Sequence, residues 1–171
     1  LFKPGTQYSY SSMGILLASE IGQRLSGKSI AMLTDEAVFQ PLGMKHSALG
    51  LGRLDPASLM RCQVEKAAPE SGAGDPSAKN WDWNSNYWRG LGAPWGGVNA
   101  SAPDVARFLD AFLRRDARLL QPDSFQQMVT NQNPPGLRRR GLGFDLGPSL
   151  GGPALSEHAF GHGGSTGTLC W

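Results

Sequence analysis

The run Gly161-His162-Gly163-Gly164-Ser165-Thr166-Gly167 sets a titratable imidazole and two hydroxyls among glycines. Glycine has no side chain to block the close approach of a ligand backbone. Such a run suits a phosphate cradle, a metal loop, a plain turn or one wall of an active site. Residues 22–29, Gly-Gln-Arg-Leu-Ser-Gly-Lys-Ser, also satisfy the Gly-x-x-x-x-Gly-Lys-Ser pattern of a phosphate-binding loop. That loop needs a strand before it and, after it, a helix whose N-terminal dipole faces the phosphates. Here Gly22 falls inside an apolar helical period and Gly27 suits a helix terminator. Nucleotide binding through Gly22 to Ser29 therefore stands as the alternative reading.

Two histidines, His158 and His162, are four apart, a metal-ligand spacing on a helix, and His46 is the only other histidine. The glycines around His162 argue against a helix, and a metal centre needs three or four ligands, so no metal is expected. The arginines at 138–140 have no aromatic residue between them and read as a solvated loop. The stretch from Trp81 to Trp95 holds four tryptophans. It could stack bases or sugars, but aromatic clusters more often pack a core or line a cleft.

Several elements must position these groups. Met13, Leu16, Leu17, Ile21 and Leu25 recur at helical spacing and predict an amphipathic helix that ends at Gly27. Ser29 is a candidate N-cap for a second helix, with Pro41-Leu42-Gly43 as its stop. Residues 55–65 fit a short helix or a strand, and residues 66–80 read as loop. The segment after Ser101 predicts another helix, with Ser101 and Asp104 as a capping-box pair and Val105, Phe108, Leu109 and Phe112 as its buried stripe. A short helix is expected near 122–132. Glycine-punctuated alternation over 139–147 and 159–171 then predicts strands. Helices come first and strands later, with no βαβ rhythm, which is an α+β order.

Composition narrows the function. A chain of 171 residues can form one domain with a real core. Its 40% apolar and 18% charged residues, with a mean hydropathy of -0.30, are values of a globular, water-compatible protein. A net charge of +2 is too small to point to nucleic acid or an anionic membrane. No apolar run approaches the ~18 residues of a membrane helix. Cys62 and Cys170 are too few for a disulfide framework, and spacing alone does not say whether they pair. The opening residues have neither a basic n-region nor an apolar h-region, and the chain reads as an internal piece of a longer protein.

Three segments, in order, resemble one known family. Residues 4–44, running from Pro-Gly-Thr through Tyr10 and a helix to Pro-Leu-Gly-Met, are similar to the serine hydrolases related to class C β-lactamases, D-alanyl-D-alanine peptidases and esterases. Gly96-Gly97 with the helix that follows resembles that family's Gly-Gly segment. Residues 160–168, Phe-Gly-His-Gly-Gly-Ser-Thr-Gly-Thr, resemble its third motif, Lys/His/Trp-x-Gly on the strand edging the site. The resemblance spans nearly the whole chain and is weakest over 50–90.

It implies a single β-lactamase-related catalytic domain over 1–171, an antiparallel sheet flanked by helices with a helical subdomain. Residues 1–100 would be mainly helices and loops, residues 101–171 helices returning to strands, with the fold truncated at both ends. The nucleophile would be a serine activated by lysine in Ser-x-x-Lys, a motif that these 171 residues lack and that lies upstream of the tyrosine in the family. Tyr10 aligns with the tyrosine that moves the proton. A free phenol titrates near 10, so it can serve only beside cations or as a relay. Ser12 stands where the family usually has a substrate-holding Asn. His162 takes the place often held by lysine, Gly163 and Gly164 let substrate lie against the strand edge, and the Ser165 N–H is one donor of the oxyanion hole. The resemblance implies a small-molecule or peptide substrate, no cofactor and a periplasmic or secreted location. A non-catalytic homologue that binds peptide or glycan is the remaining alternative.

Overall fold

The computed structural model describes residues 2–65, 67, 71–72, 75–148 and 152–171. The chain falls into two compact units, one of Leu1–Tyr10 with Leu109–Trp171 and the other of Ser11–Phe108. Together they carry helices and small antiparallel sheets, an α+β architecture.

In the unit of residues 11–108, helix α1 spans Ser12–Ser26. The Ser11 side chain accepts from the Gly14 N–H at its start, and Gly27 ends it at φ 70° with its N–H bonded to the Gln23 carbonyl. This left-handed terminator is nearly free of steric cost only for glycine. Ser29 then caps α2 (Ile30–Thr34) through the Met32 N–H. The second helix does not run straight on to Pro41: a π-helical turn occupies Asp35–Phe39. It sinks Phe39 into a core shared with Leu42, Met44, Ala48, Leu49 and Ala93. The apolar stripe of α1 is not buried among the described residues; Leu25 is 85% exposed. Caps at both ends, rather than burial, define that helix.

Residues 22–29 thus form the end of α1, a helix terminator and the cap of α2. Among the described residues no strand precedes them, and Lys28 is ion-paired with Glu36. The strand–loop–helix context of a phosphate-binding loop is missing, which removes the nucleotide reading.

Strand β1 (Ser47–Leu49) pairs antiparallel with β2 (Val98–Ala100). Between them lie 3₁₀ turns at Pro56–Ser58 and Pro76–Asn80 and helix α3 (Asn86–Leu91), whose Trp88 stacks on Trp83 at 5.8 Å. Trp83 and Trp88 thus pack against each other, while Trp81 is exposed. Gly97 closes the turn into β2, where a Cβ would meet the Ala93 backbone.

Helix α4 (Ala102–Arg114) begins as expected, with the Ser101 hydroxyl accepting from the Asp104 N–H at 3.3 Å. The other half of the capping box does not form. The Asp104 carboxylate turns instead to the His46 N–H at 2.8 Å and the Ser47 hydroxyl at 2.9 Å, with Arg107 on its second oxygen at 2.6 Å. The Ser47 hydroxyl is buried and the His46 N–H partly so, and satisfying them outweighs closing the box.

The unit of residues 1–10 and 109–171 is built on aromatic rings. Phe112 meets Phe125 edge-on at 5.1 Å and Phe144 at 4.9 Å, and Phe144 meets Phe160 at 5.3 Å. Such edge-to-face pairs add stability beyond their buried area. Helix α5 (Pro122–Met128) supplies Phe125. A three-stranded antiparallel sheet in the order β3 (Asp145–Leu146), β4 (Phe160–Gly163), β5 (Leu169–Cys170) supplies the rest of the frame. Both cysteines are free thiols.

Candidate functional site

Strand β4 is the element that presents His162. It lies between two partners, with Gly161 opposite Asp145 of β3 and His162 opposite Cys170 of β5. A Cβ on Gly161 would collide with the Cys170 carbonyl and the Trp171 ring, so this position admits only glycine without displacing β5. Beyond Gly163 the chain turns. The Gly164 N–H reaches the Thr168 carbonyl at 2.7 Å and the Gly167 N–H reaches the Gly164 carbonyl at 3.0 Å. Ser165 is exposed at that turn, and its N–H has no hydrogen-bond partner among the described residues.

The segment before β3 folds back to meet it. The Gly141 N–H bonds the Phe144 carbonyl at 2.9 Å, Gly143 sits at φ 85°, and Arg140 bridges Asp145. This tight return brings two arginines onto one buried acid. Asp145 is 1% exposed, and its Oδ1 accepts from Arg138 Nη2 and from Arg140 Nη1, each at 2.6 Å. A buried carboxylate is tolerated only when paired in this way. Arg140, with only 13% of its side chain exposed, then extends its Nη2 to His162 Nε2 at 2.7 Å. The other ring nitrogen of His162, Nδ1, lies 2.6 Å from the Gly163 carbonyl.

Tyr10 completes the cluster. Its ring centroid is 5.9 Å from that of His162, and the Arg140 guanidinium carbon stands 5.6 Å from it. The phenol is half-exposed. Tyr10, Arg140 and His162 therefore form one contiguous group, anchored from below by Asp145. Of the residues anticipated from sequence, Tyr10 and His162 are brought together, and Gly163, Gly164 and Ser165 follow His162 directly along the chain. Ser12 opens α1 in the other unit, where its side chain is exposed.

The profile of the Beta-lactamase family matches residues 1–171. The chain belongs to the beta-lactamase family. A D-aminopeptidase of Gluconobacter oxydans is 29% identical over 136 residues, which cover 75% of this chain and 22% of that protein. Among solved structures, a D-amino acid amidase from Ochrobactrum anthropi in complex with D-phenylalanine matches 84% of this chain and 42% of its own, at 27% identity and a TM-score of 0.62. A β-lactamase from Mycobacterium bovis matches 94% of this chain and 50% of its own, at 24% identity and a TM-score of 0.62. The fold is thus that of the β-lactamases, and this chain spans about half or less of the length of these relatives.

Within this beta-lactamase-family chain, the sequence reading missed Arg140 and its anchor. The arginine run is not simply a solvated loop: only Arg139, paired with Glu157 at 2.8 Å, behaves that way. The available signal was Asp145, an acid inside an otherwise apolar and glycine-rich strand segment five residues from Arg140. An acid with no solvent face calls for a cation. His158, by contrast, is exposed, with its backbone N–H on the Ser156 hydroxyl, and takes no part in the cluster.

Proposed function

We propose that this chain is the part of a serine hydrolase that carries the proton-transfer tyrosine and the strand edge of the active site, and that the protein cleaves an amide or ester through an acyl-enzyme. The observation that carries the reading is the contact of Tyr10 with His162 beside Arg140, at the strand whose next turn offers the Ser165 N–H. Two of the three relatives named above are by their names a D-aminopeptidase and a D-amino acid amidase, and the third is a β-lactamase. The first two favour an amide of a D-amino acid as the substrate class.

The chemistry runs in two acyl transfers. A serine oxygen attacks the carbonyl carbon as its proton leaves toward the basic group paired with it, and the carbonyl oxygen takes up the negative charge. The Ser165 N–H and the nucleophile's own N–H hold that oxyanion, a donor of this kind stabilising the transition state by on the order of 3 kcal/mol. Collapse expels the amine or alcohol, which takes its proton by way of Tyr10. Water then repeats the attack on the acyl-serine and releases the acid. The nucleophile is a Ser-x-x-Lys serine, a motif absent from these 171 residues, so the working enzyme is a longer protein. The reading calls for no metal or organic cofactor.

A lysine at the position of His162 would carry a fixed charge suited to a substrate carboxylate, whereas an imidazole need not. Arg140 supplies a fixed charge beside that ring, so the ranking of amides and esters above β-lactams rests on the D-aminopeptidase and D-amino acid amidase relatives. The test is kcat/KM of the full-length protein on D-phenylalanine amide, a short-chain nitrophenyl ester and a chromogenic cephalosporin. Turnover of the amide or the ester above the cephalosporin is expected. A preference for the cephalosporin overturns the substrate assignment.

A further inference from the structure

His162 is flanked by two partners whose hydrogen-bonding roles are fixed by their chemistry. The Arg140 guanidinium carries only donors and is not deprotonated in proteins. The Gly163 carbonyl can only accept. With Nη2 of Arg140 2.7 Å from Nε2 and the carbonyl 2.6 Å from Nδ1, one protonation form satisfies both contacts. Nε2 must be bare and accept, and Nδ1 must carry the proton and donate. The opposite tautomer mismatches both contacts. An imidazolium would press an N–H against a guanidinium N–H, two donors and two positive charges face to face.

Arg140 can impose this because it is itself held. Its Nη1 is committed to Asp145 Oδ1 at 2.6 Å, and that same oxygen takes Arg138. The planar fork lets one side chain address a carboxylate with one nitrogen and an imidazole with the other, a division a lysine ammonium makes less well. The same guanidinium stands 5.6 Å from the Tyr10 ring centroid. Among the described residues, the charged groups linked to His162 are Arg140, Asp145 and Arg138, which leaves a net positive charge that does not depend on the imidazole.

We propose that Arg140, anchored by Asp145, is the positioning residue of this site: it fixes His162 as the neutral Nδ1–H tautomer and is itself the cation beside Tyr10. Its consequence for turnover rests on the hydrolase reading given above. In that setting the guanidinium attracts the negative charge that develops during acyl transfer, and His162 offers substrate a neutral ring in one orientation.

The test is the tautomer itself, read by long-range proton–nitrogen correlation in the full-length protein labelled with ¹⁵N-histidine and assigned by loss of the signal in His162→Gln. The wild type is expected to show a bare Nε2 and a protonated Nδ1. Arg140→Lys, which keeps a donor at Nε2, should retain that signature. Arg140→Met, which removes it, should shift the ring toward the Nε2–H form and lower kcat by up to about 100-fold, the scale of a misplaced catalytic group, with a smaller change in KM. An Nε2–H or averaged ring in the wild type overturns the proposal, whether or not the variants fold. So does an unchanged ring in folded Arg140→Met. Should the tautomer signature hold in a protein that hydrolyses nothing, the hydrolase reading fails while the positioning role of Arg140 stands.

Discussion

Asp104 Oδ2 accepts the backbone N–H of His46 at 2.8 Å, joining the first turn of α4 to the head of β1 across 58 residues of chain. The same oxygen takes the Ser47 hydroxyl, and both Ser47 and Asp104 are fully buried. Asp104→Ala would leave the buried Ser47 hydroxyl without a partner, costing about 1–3 kcal/mol, and would also free the part-buried His46 N–H. Thermal or denaturant unfolding of the full-length protein should show this loss, with Asp104→Asn losing less because its amide oxygen still accepts.

The same residue gives stability an acid limb. Burial alone would raise the Asp104 carboxyl, but the His46 N–H, the Ser47 hydroxyl and Arg107 together hold it below the ordinary carboxylate value. A lowered folded-state value means that the unfolded chain binds protons first as pH falls. The stabilisation is therefore complete above the ordinary carboxylate range and is lost as pH drops through the lowered value. Asp116, brought down to about 2 chiefly by its Arg118 hydrogen bond, and Asp35, lowered chiefly by Gln40, work in the same direction. Asp104→Asn should therefore flatten the acid limb without abolishing it, as unfolding free energy measured between pH 2 and 6 would show.

Gly161→Ala tests the packing behind His162. The added methyl meets backbone on β5 and the Trp171 ring, neither of which can turn away as a flexible side chain would. A destabilisation of about 1–3 kcal/mol is expected from overpacking, with activity of the full-length protein falling along with it as β4 moves.

Signals that complete themselves within four residues were readable from sequence: the Ser29 cap, the Gly27 terminator, and helices α1, α4 and α5. Tyr10, His162 and the Ser165 turn were found through the resemblance rather than through spacing, since their meeting depends on how β4 is placed. What escaped the sequence were choices settled by distant partners. Arg140 is defined by Asp145 and by His162, 22 residues away. The carboxylate of Asp104 leaves a local capping role for donors on another element. The π-helical turn at Asp35–Phe39 leaves no mark on a pattern of helical period, because it shifts the face presented to the core without changing which residues are apolar.

In the proposed mechanism Ser165 acts through its backbone N–H, not its hydroxyl. Ser165→Ala keeps the N–H and, as an exposed substitution, should leave kcat/KM within about twofold of wild type. A loss of two orders of magnitude would assign the role to the hydroxyl instead.

The central claim is that Tyr10 moves protons in a serine-based acyl transfer. It is tested most directly by the rate at which a fluorescent fluorophosphonate labels the full-length protein, where a serine oxygen bonds phosphorus and fluoride leaves. Labelling of one serine in a Ser-x-x-Lys motif is expected, slowed by about 100- to 10,000-fold in Tyr10→Phe, as for a lost acid–base group. Absence of labelling, or a Tyr10→Phe protein that labels at the wild-type rate, would contradict the account.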